Sequence, residues 1–275
     1  MLLSSCNSLT ELNFSLVHFE HGTELCQIFP SEALSLLRAI ALPQCALQTN
    51  ASLEQLSASC AMLEELDVRS GDGRSSVCWE CPLCSLPFTA INRHTASALH
   101  RGTRLQSLTL LFSCSLDCYK FLAECSLVRL RITWPEKSMN SYAGRSFLAG
   151  FSSSEHLRSL TLCASNVALS AICSELGTAG VLGLRTLCIV SDMEASGSAR
   201  ESISRLSRRL PLLETVHAHY LDEGHHQNRV TWIRCWRLSC PGERRDFEGG
   251  AFLSNAPCSP DCAMTTLIGL KKPRH

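Results

Sequence analysis

Cys78-Trp79-Glu80-Cys81 is followed by twelve residues, then His94, five more, and His100. Two thiolates at that spacing, facing two imidazoles, can offer zinc the four ligands of a tetrahedron. Phe88 supplies an apolar residue inside the interval, and Cys84 competes with Cys78 as the partner of Cys81. His217, His219, His225 and His226 form a second metal-like group, but no carboxylate or thiol stands at ligand spacing beside them. They read instead as two solvent-facing strand positions and a polar loop. A search for covalent and phosphate chemistry finds no Gly-x-Ser-x-Gly elbow, no phosphate loop and no dinucleotide fingerprint. Ser70-Gly71-Asp72-Gly73 is a turn signal. No catalytic residue is assigned, and the expectation is a protein that is not an enzyme.

The segment 78–101 is similar in spacing to Cys2His2 zinc fingers of the matrin or U1 type. That resemblance implies a zinc-dependent nucleic-acid-binding module with Cys78, Cys81, His94 and His100 as ligands. The same interval also reads as a loop and one surface helix, with Pro87 near its start and Arg101-Gly102 at its end. The second reading is preferred, so no cofactor is assigned and zinc is kept as the alternative.

The elements that would position these residues follow from a recurring phrase, apolar-x-x-apolar-x-apolar. It occurs at Leu9-Leu12-Phe14, Leu63-Leu66-Val68, Leu105-Leu108-Leu110, Leu127-Leu130-Ile132, Leu157-Leu160-Leu162, Leu184-Leu187-Ile189 and Leu213-Val216-Ala218, with a weaker copy at Leu42-Cys45-Leu47. Successive starts lie 33, 21, 42, 22, 30, 27 and 29 residues apart. Between the phrases run segments with helical apolar spacing. One opens at Ser31, with Leu34, Leu37 and Ala41 inward and Ser31 as N-cap. Others begin at Ser52, span Asp117 to Cys125 and Asn166 to Leu176, and run from Ser198 to Leu210 with Ile203, Leu206 and Leu210 inward. A strand with one apolar side and a helix with one apolar stripe cannot bury their faces alone, so such units stack.

Over residues 9–220 this pattern resembles leucine-rich repeats, in particular the ribonuclease-inhibitor-like and F-box-associated branch. The resemblance implies an α/β solenoid, with a parallel sheet on the concave face and helices on the convex face. The family's Asn or Cys after each strand is replaced here by Val17, Gly71, Ser113, Pro135, Ser165, Asp192 and Leu221, so the repeats are expected to be irregular. Phe29-Pro30-Ser31-Glu32-Ala33-Leu34 faintly resembles the opening of an F-box, and the branch implies substrate recognition in an F-box-type ubiquitin-ligase adaptor. Residues 221–275, rich in Gly, Pro, Arg and Cys, lose the phrase and read as an irregular cap or partly disordered tail. Val230-Ile233-Cys235 is at best a degenerate last repeat.

An apolar fraction of 45% against 18% charged residues is that of a folded chain. Net charge is zero, which argues against general binding to nucleic acid or membrane surfaces. Residues 1–68 nevertheless hold eight acids and one base, Arg38, so the remainder carries the opposite excess of seven. Many of the seventeen cysteines, such as Cys45, Cys60, Cys125 and Cys173, fall at core positions, as small hydrophobes do in a reducing compartment. Met1 to Ser8 shows neither the basic nor the apolar region of a secretory signal, and no apolar run is long enough to span a bilayer. A cytoplasmic or nuclear protein is expected.

Strand side chains alternate, so residues between the buried apolar ones line the concave face. The candidate partner-binding residues there are Glu65, Asp67, Arg129, Arg131, Trp134, His217 and His219. Arginine and tryptophan are the types that most often anchor protein interfaces. The expected function is a non-catalytic scaffold that binds a protein on this face.

Overall fold

The computed structural model describes residues 8–15, 17, 28, 31–43, 46–47, 50–69, 93–111, 122–123, 125–134, 148, 150–152, 154–164, 169–194, 199–221 and 231–237. The chain divides into two compact units, Met1–Thr133 and Trp134–His275. This boundary falls inside the span 1–220 read from the sequence as one domain.

In the first unit, strands β1 (Glu11–Asn13), β2 (Ala39–Pro43), β3 (Glu65–Arg69), β4 (Ser107–Leu111) and β5 (Arg129–Trp134, whose last residue is already assigned to the second unit) pair in chain order. Each pair is parallel. Helices α1 (Ser31–Ser35), α2 (Asn50–Ser59) and α3 (Arg93–Gly102) lie in the crossovers. The sequence phrases explain the register. Leu66, Leu108 and Leu130 stand side by side, as do Val68, Leu110 and Ile132, and all six are buried. A one-residue slip would turn every one of them to the opposite face, so the pairing is strongly specified. Helices α2 and α3 bury Leu53 with Leu56 and Ala96 with Leu99, spaced three apart. A Cβ added at Gly102 would come within 2.9 Å of the Ser57 carbonyl oxygen, so α2 and α3 pack closely there because glycine has no side chain.

Each strand is entered in the same way. The Arg38 carbonyl accepts hydrogen bonds from the amides of Glu64 and Glu65, at 2.8 and 2.9 Å. The Glu64 carbonyl accepts from Gln106 and Ser107, and the Gln106 carbonyl from Val128 and Arg129. The pattern begins at Thr10, whose carbonyl accepts from Arg38 and Ala39. It therefore identifies Leu37-Ile40-Leu42 as the phrase of β2, all three buried, in place of Leu42-Cys45-Leu47. Likewise α1 ends at Ser35 and does not run on to Ala41. The Leu37 amide turns back to the Leu34 carbonyl and the Ala39 amide is taken by Thr10, so the chain leaves the helix to join the sheet.

The second unit holds β6 (Ser159–Ala164), α4 (Leu169–Ala179), β7 (Thr186–Glu194), α5 (Ala199–Arg209), β8 (Thr215–Leu221) and β9 (Thr231–Arg237). Strands β6, β7 and β8 pair in parallel, with Leu160, Leu187 and Val216 in one buried row and Leu162, Ile189 and Ala218 in the next. The carbonyls of Arg158 and Arg185 repeat the two-amide entry. Helix α4 buries Leu169, Ile172, Cys173 and Leu176, and α5 buries Ile203 and Leu206. Gly180 ends α4 at φ 67°, its amide donating to the Leu176 carbonyl, as a left-handed C-terminal residue does. Strand β9 runs antiparallel to β8. It is therefore not a further parallel unit, and the nine residues 222–230 are too few for a helical crossover.

Candidate functional site

On the face of the first unit's sheet opposite the buried leucines, the register arranges the remaining side chains in two rows. One runs Glu11, Ala39, Glu65, Ser107, Arg129, and the other Asn13, Ala41, Asp67, Thr109, Arg131. Strand β3 thus brings two carboxylates to this face and β5 brings two guanidinium groups, with the hydroxyl residues of β4 between them. Glu65 and Arg129 are exposed, Asp67 and Arg131 half-buried, and Thr109 is buried.

The structure gathers four of the seven candidate residues and gives them a partner set that single strands do not reveal. The Arg129 guanidinium donates to the Glu65 carboxylate across the whole width of β4. Two strand spacings amount to about 9.5 Å, a span that the long Arg129 and Glu65 side chains close together. Both side chains are about half exposed, at 45% and 51%, so the pair adds little stability and its Coulomb field is open to an approaching molecule. Strand starts carry two similar surface pairs, Arg38 with Glu64 at 3.8 Å and Arg185 with Glu214 at 2.8 Å. Ser107 and Thr109 separate the two charged strands, at positions that strand alternation in the sequence already assigns to the concave row. Once the strand phrases are aligned, their place between Glu65 and Arg129 follows from spacing alone.

Trp134 is the last residue of β5, and its side chain lies outside the described residues. His217 and His219 belong to β8 in the other unit. His217 is buried at 8% exposure, unlike the solvent-facing position expected of it. It stands in register with Cys188 on one side and Cys235 on the other. The side chain of His219 lies outside the described residues.

For the zinc alternative, Cys78, Cys81 and Cys84 lie outside the described residues, as do His225 and His226. His94 and His100 are exposed on α3. Six residues along a regular α-helix separate them by about 9 Å of rise and about 120° of rotation. Among the described residues, no group of three or more His, Cys, Asp or Glu side chains is placed to hold a metal ion.

Among the described residues, Cys60, Cys125, Cys163, Cys173 and Cys188 stand as thiols. Burial in the apolar stripe of α4 pushes the Cys173 thiol up from 9.0 to about 12, which leaves it protonated and a poor nucleophile at neutral pH. Among the described residues, no helix is long and apolar enough to cross a membrane. Neither a protein-family model nor a curated protein matches the chain.

Proposed function

We propose that the chain is an irregular leucine-rich-repeat solenoid that acts without catalysis, binding another protein on the β3–β5 sheet face. The observation that carries this reading is the register itself. The same alternation that buries Leu66, Leu108 and Leu130 delivers Glu65, Asp67, Arg129 and Arg131 to one surface on three adjacent strands. The charges of these four residues sum to zero, with the two carboxylates on β3 and the two arginines on β5. A uniformly acidic partner would gain over β5 and lose over β3, and a uniformly basic one the reverse. The surface therefore suits a partner that carries basic groups over β3 and acidic groups over β5, with register fixed by the charges. Trp134, beside this surface in sequence, is of a type that anchors such interfaces. The burial of Cys60, Cys125, Cys173 and Cys188 in the core, as small hydrophobes, supports a reducing compartment, cytosol or nucleus.

Affinity capture tests the reading, with the intact chain as bait beside the Arg129→Glu, Arg131→Glu double variant and an Arg200→Glu, Arg208→Glu control on α5. Mass spectrometry of the retained proteins should show partners lost from the sheet-face variant and kept by the control. The same partners retained by all three baits would exclude this face.

A further inference from the structure

We infer that the sheet face of the second unit binds a zinc-class divalent ion through Cys188, His217 and His219. In the sequence the two histidines have no thiol at ligand spacing, because Cys188 belongs to the preceding strand phrase. The register supplies one. Cys188 of β7 stands beside His217 of β8, one strand spacing or about 4.8 Å away, on the face opposite the Leu187–Val216 row. His219 is two residues further along β8 and so belongs to the same face, about 6.6 Å from His217 along the strand. Two histidines at that spacing and a thiolate one strand away can close on a single ion, at about 2.0 Å from each nitrogen and about 2.3 Å from sulfur. Thiolate with imidazole is a zinc donor set, whereas magnesium and calcium take oxygen ligands.

Burial marks this place independently of residue type. Cys188 and His217 are only 4% and 8% exposed, although they lie on the face away from the buried leucines. No hydrogen bond joins the His217 imidazole to a described residue. Burying an imidazole without a partner costs free energy, and an ion on one ring nitrogen removes that cost. Cys235 of β9 stands on the other side of His217. It lies two strand spacings, about 9.5 Å, from Cys188, too far for both thiolates to reach one ion. The site therefore has three protein ligands and a fourth position open to water or to an incoming group.

Cobalt(II), added to the reduced, metal-stripped full chain, is the probe. A Cys78→Ser, Cys81→Ser background removes the competing thiol pair outside this face. One equivalent should bind there, with the visible bands of a four-coordinate ion and a thiolate-to-cobalt charge-transfer band, and zinc should displace it. Cys188→Ser should abolish the charge-transfer band, and His217→Gln or His219→Gln should each weaken cobalt binding about 10-fold or more. Cys235→Ser should change neither. Zinc-edge X-ray absorption of the same background, loaded with one equivalent of zinc, should show a shell of one sulfur and two imidazoles. That measurement alters nothing at the site, so it decides the matter if circular dichroism finds a ligand variant unfolded. No binding in this background, a shell lacking sulfur or imidazole, or a charge-transfer band that survives Cys188→Ser overturns the inference.

Discussion

Leu160 and Ser159 are neighbours on β6 with opposite fates. Leu160 is buried at 2% exposure between Leu187 of β7 and the core, whereas Ser159 is half-buried on the other face. Replacing Leu160 with Ala should cost about 2–5 kcal/mol, because the cavity adds to the lost transfer energy. Ser159→Ala should be near neutral, and a denaturant melt of both variants checks the difference. Cys173 permits a pH test. Its folded thiol titrates near 12 and its unfolded thiol near 9.0, so the folded state holds the proton more tightly. The stability that this adds is complete below pH 9 and is lost as pH rises from about 9 towards about 12. Cys173→Ala should flatten that part of the stability–pH curve. Mass-mapped alkylation at pH 8 should find Cys173 unmodified until the protein is denatured. Which leucines are buried was legible because strand periodicity is two. That Thr109, Thr161, Cys188 and His217 are also buried was not, since alternation assigns a residue to a face without saying how deeply that face is covered.

At the scale of elements, the helix spanning Ala199–Arg209 lies within the span read from its apolar stripe. The first helix was overextended and β2 displaced. Leu34, Leu37 and Ala41 fit a helical period as well as Leu37, Ile40 and Leu42 fit a strand. The deciding factor, capture of the Ala39 amide by the Thr10 carbonyl, is a contact between segments that no local pattern contains. Strand β9 was hidden for the same reason, because direction depends on connection length and pairing rather than on its own residues. The charged face was half legible. Arg129 and Arg131 could be placed on one side of β5, but the Glu65 pairing required the alignment of three strands. Gly180 is the element-scale test. Nothing lies within 4 Å of where its Cβ would stand, so Gly180→Ala meets no clash and suffers only the left-handed backbone penalty. A loss of about 1 kcal/mol is expected, and thermal unfolding of the single variant measures it.

Across the whole chain, an acidic first segment and a basic remainder coexist with zero net charge. The first unit reproduces this on a small scale, with carboxylates on β3 and guanidinium groups on β5. Opposed charge held at fixed spacing by a hydrogen-bonded sheet favours selective recognition over indiscriminate adhesion, since a wrongly matched surface meets like charge. The account therefore stands on that face. Its most direct test is titration calorimetry of a captured, purified partner against the unmodified chain, the Arg129→Glu, Arg131→Glu variant and the Arg200→Glu, Arg208→Glu control. The sheet-face variant should lose at least about 10-fold in affinity, equal to about 1.4 kcal/mol, while its unfolding midpoint stays unchanged and the α5 control binds as the unmodified chain does. Equal affinity of the sheet-face variant and the unmodified chain would contradict the account.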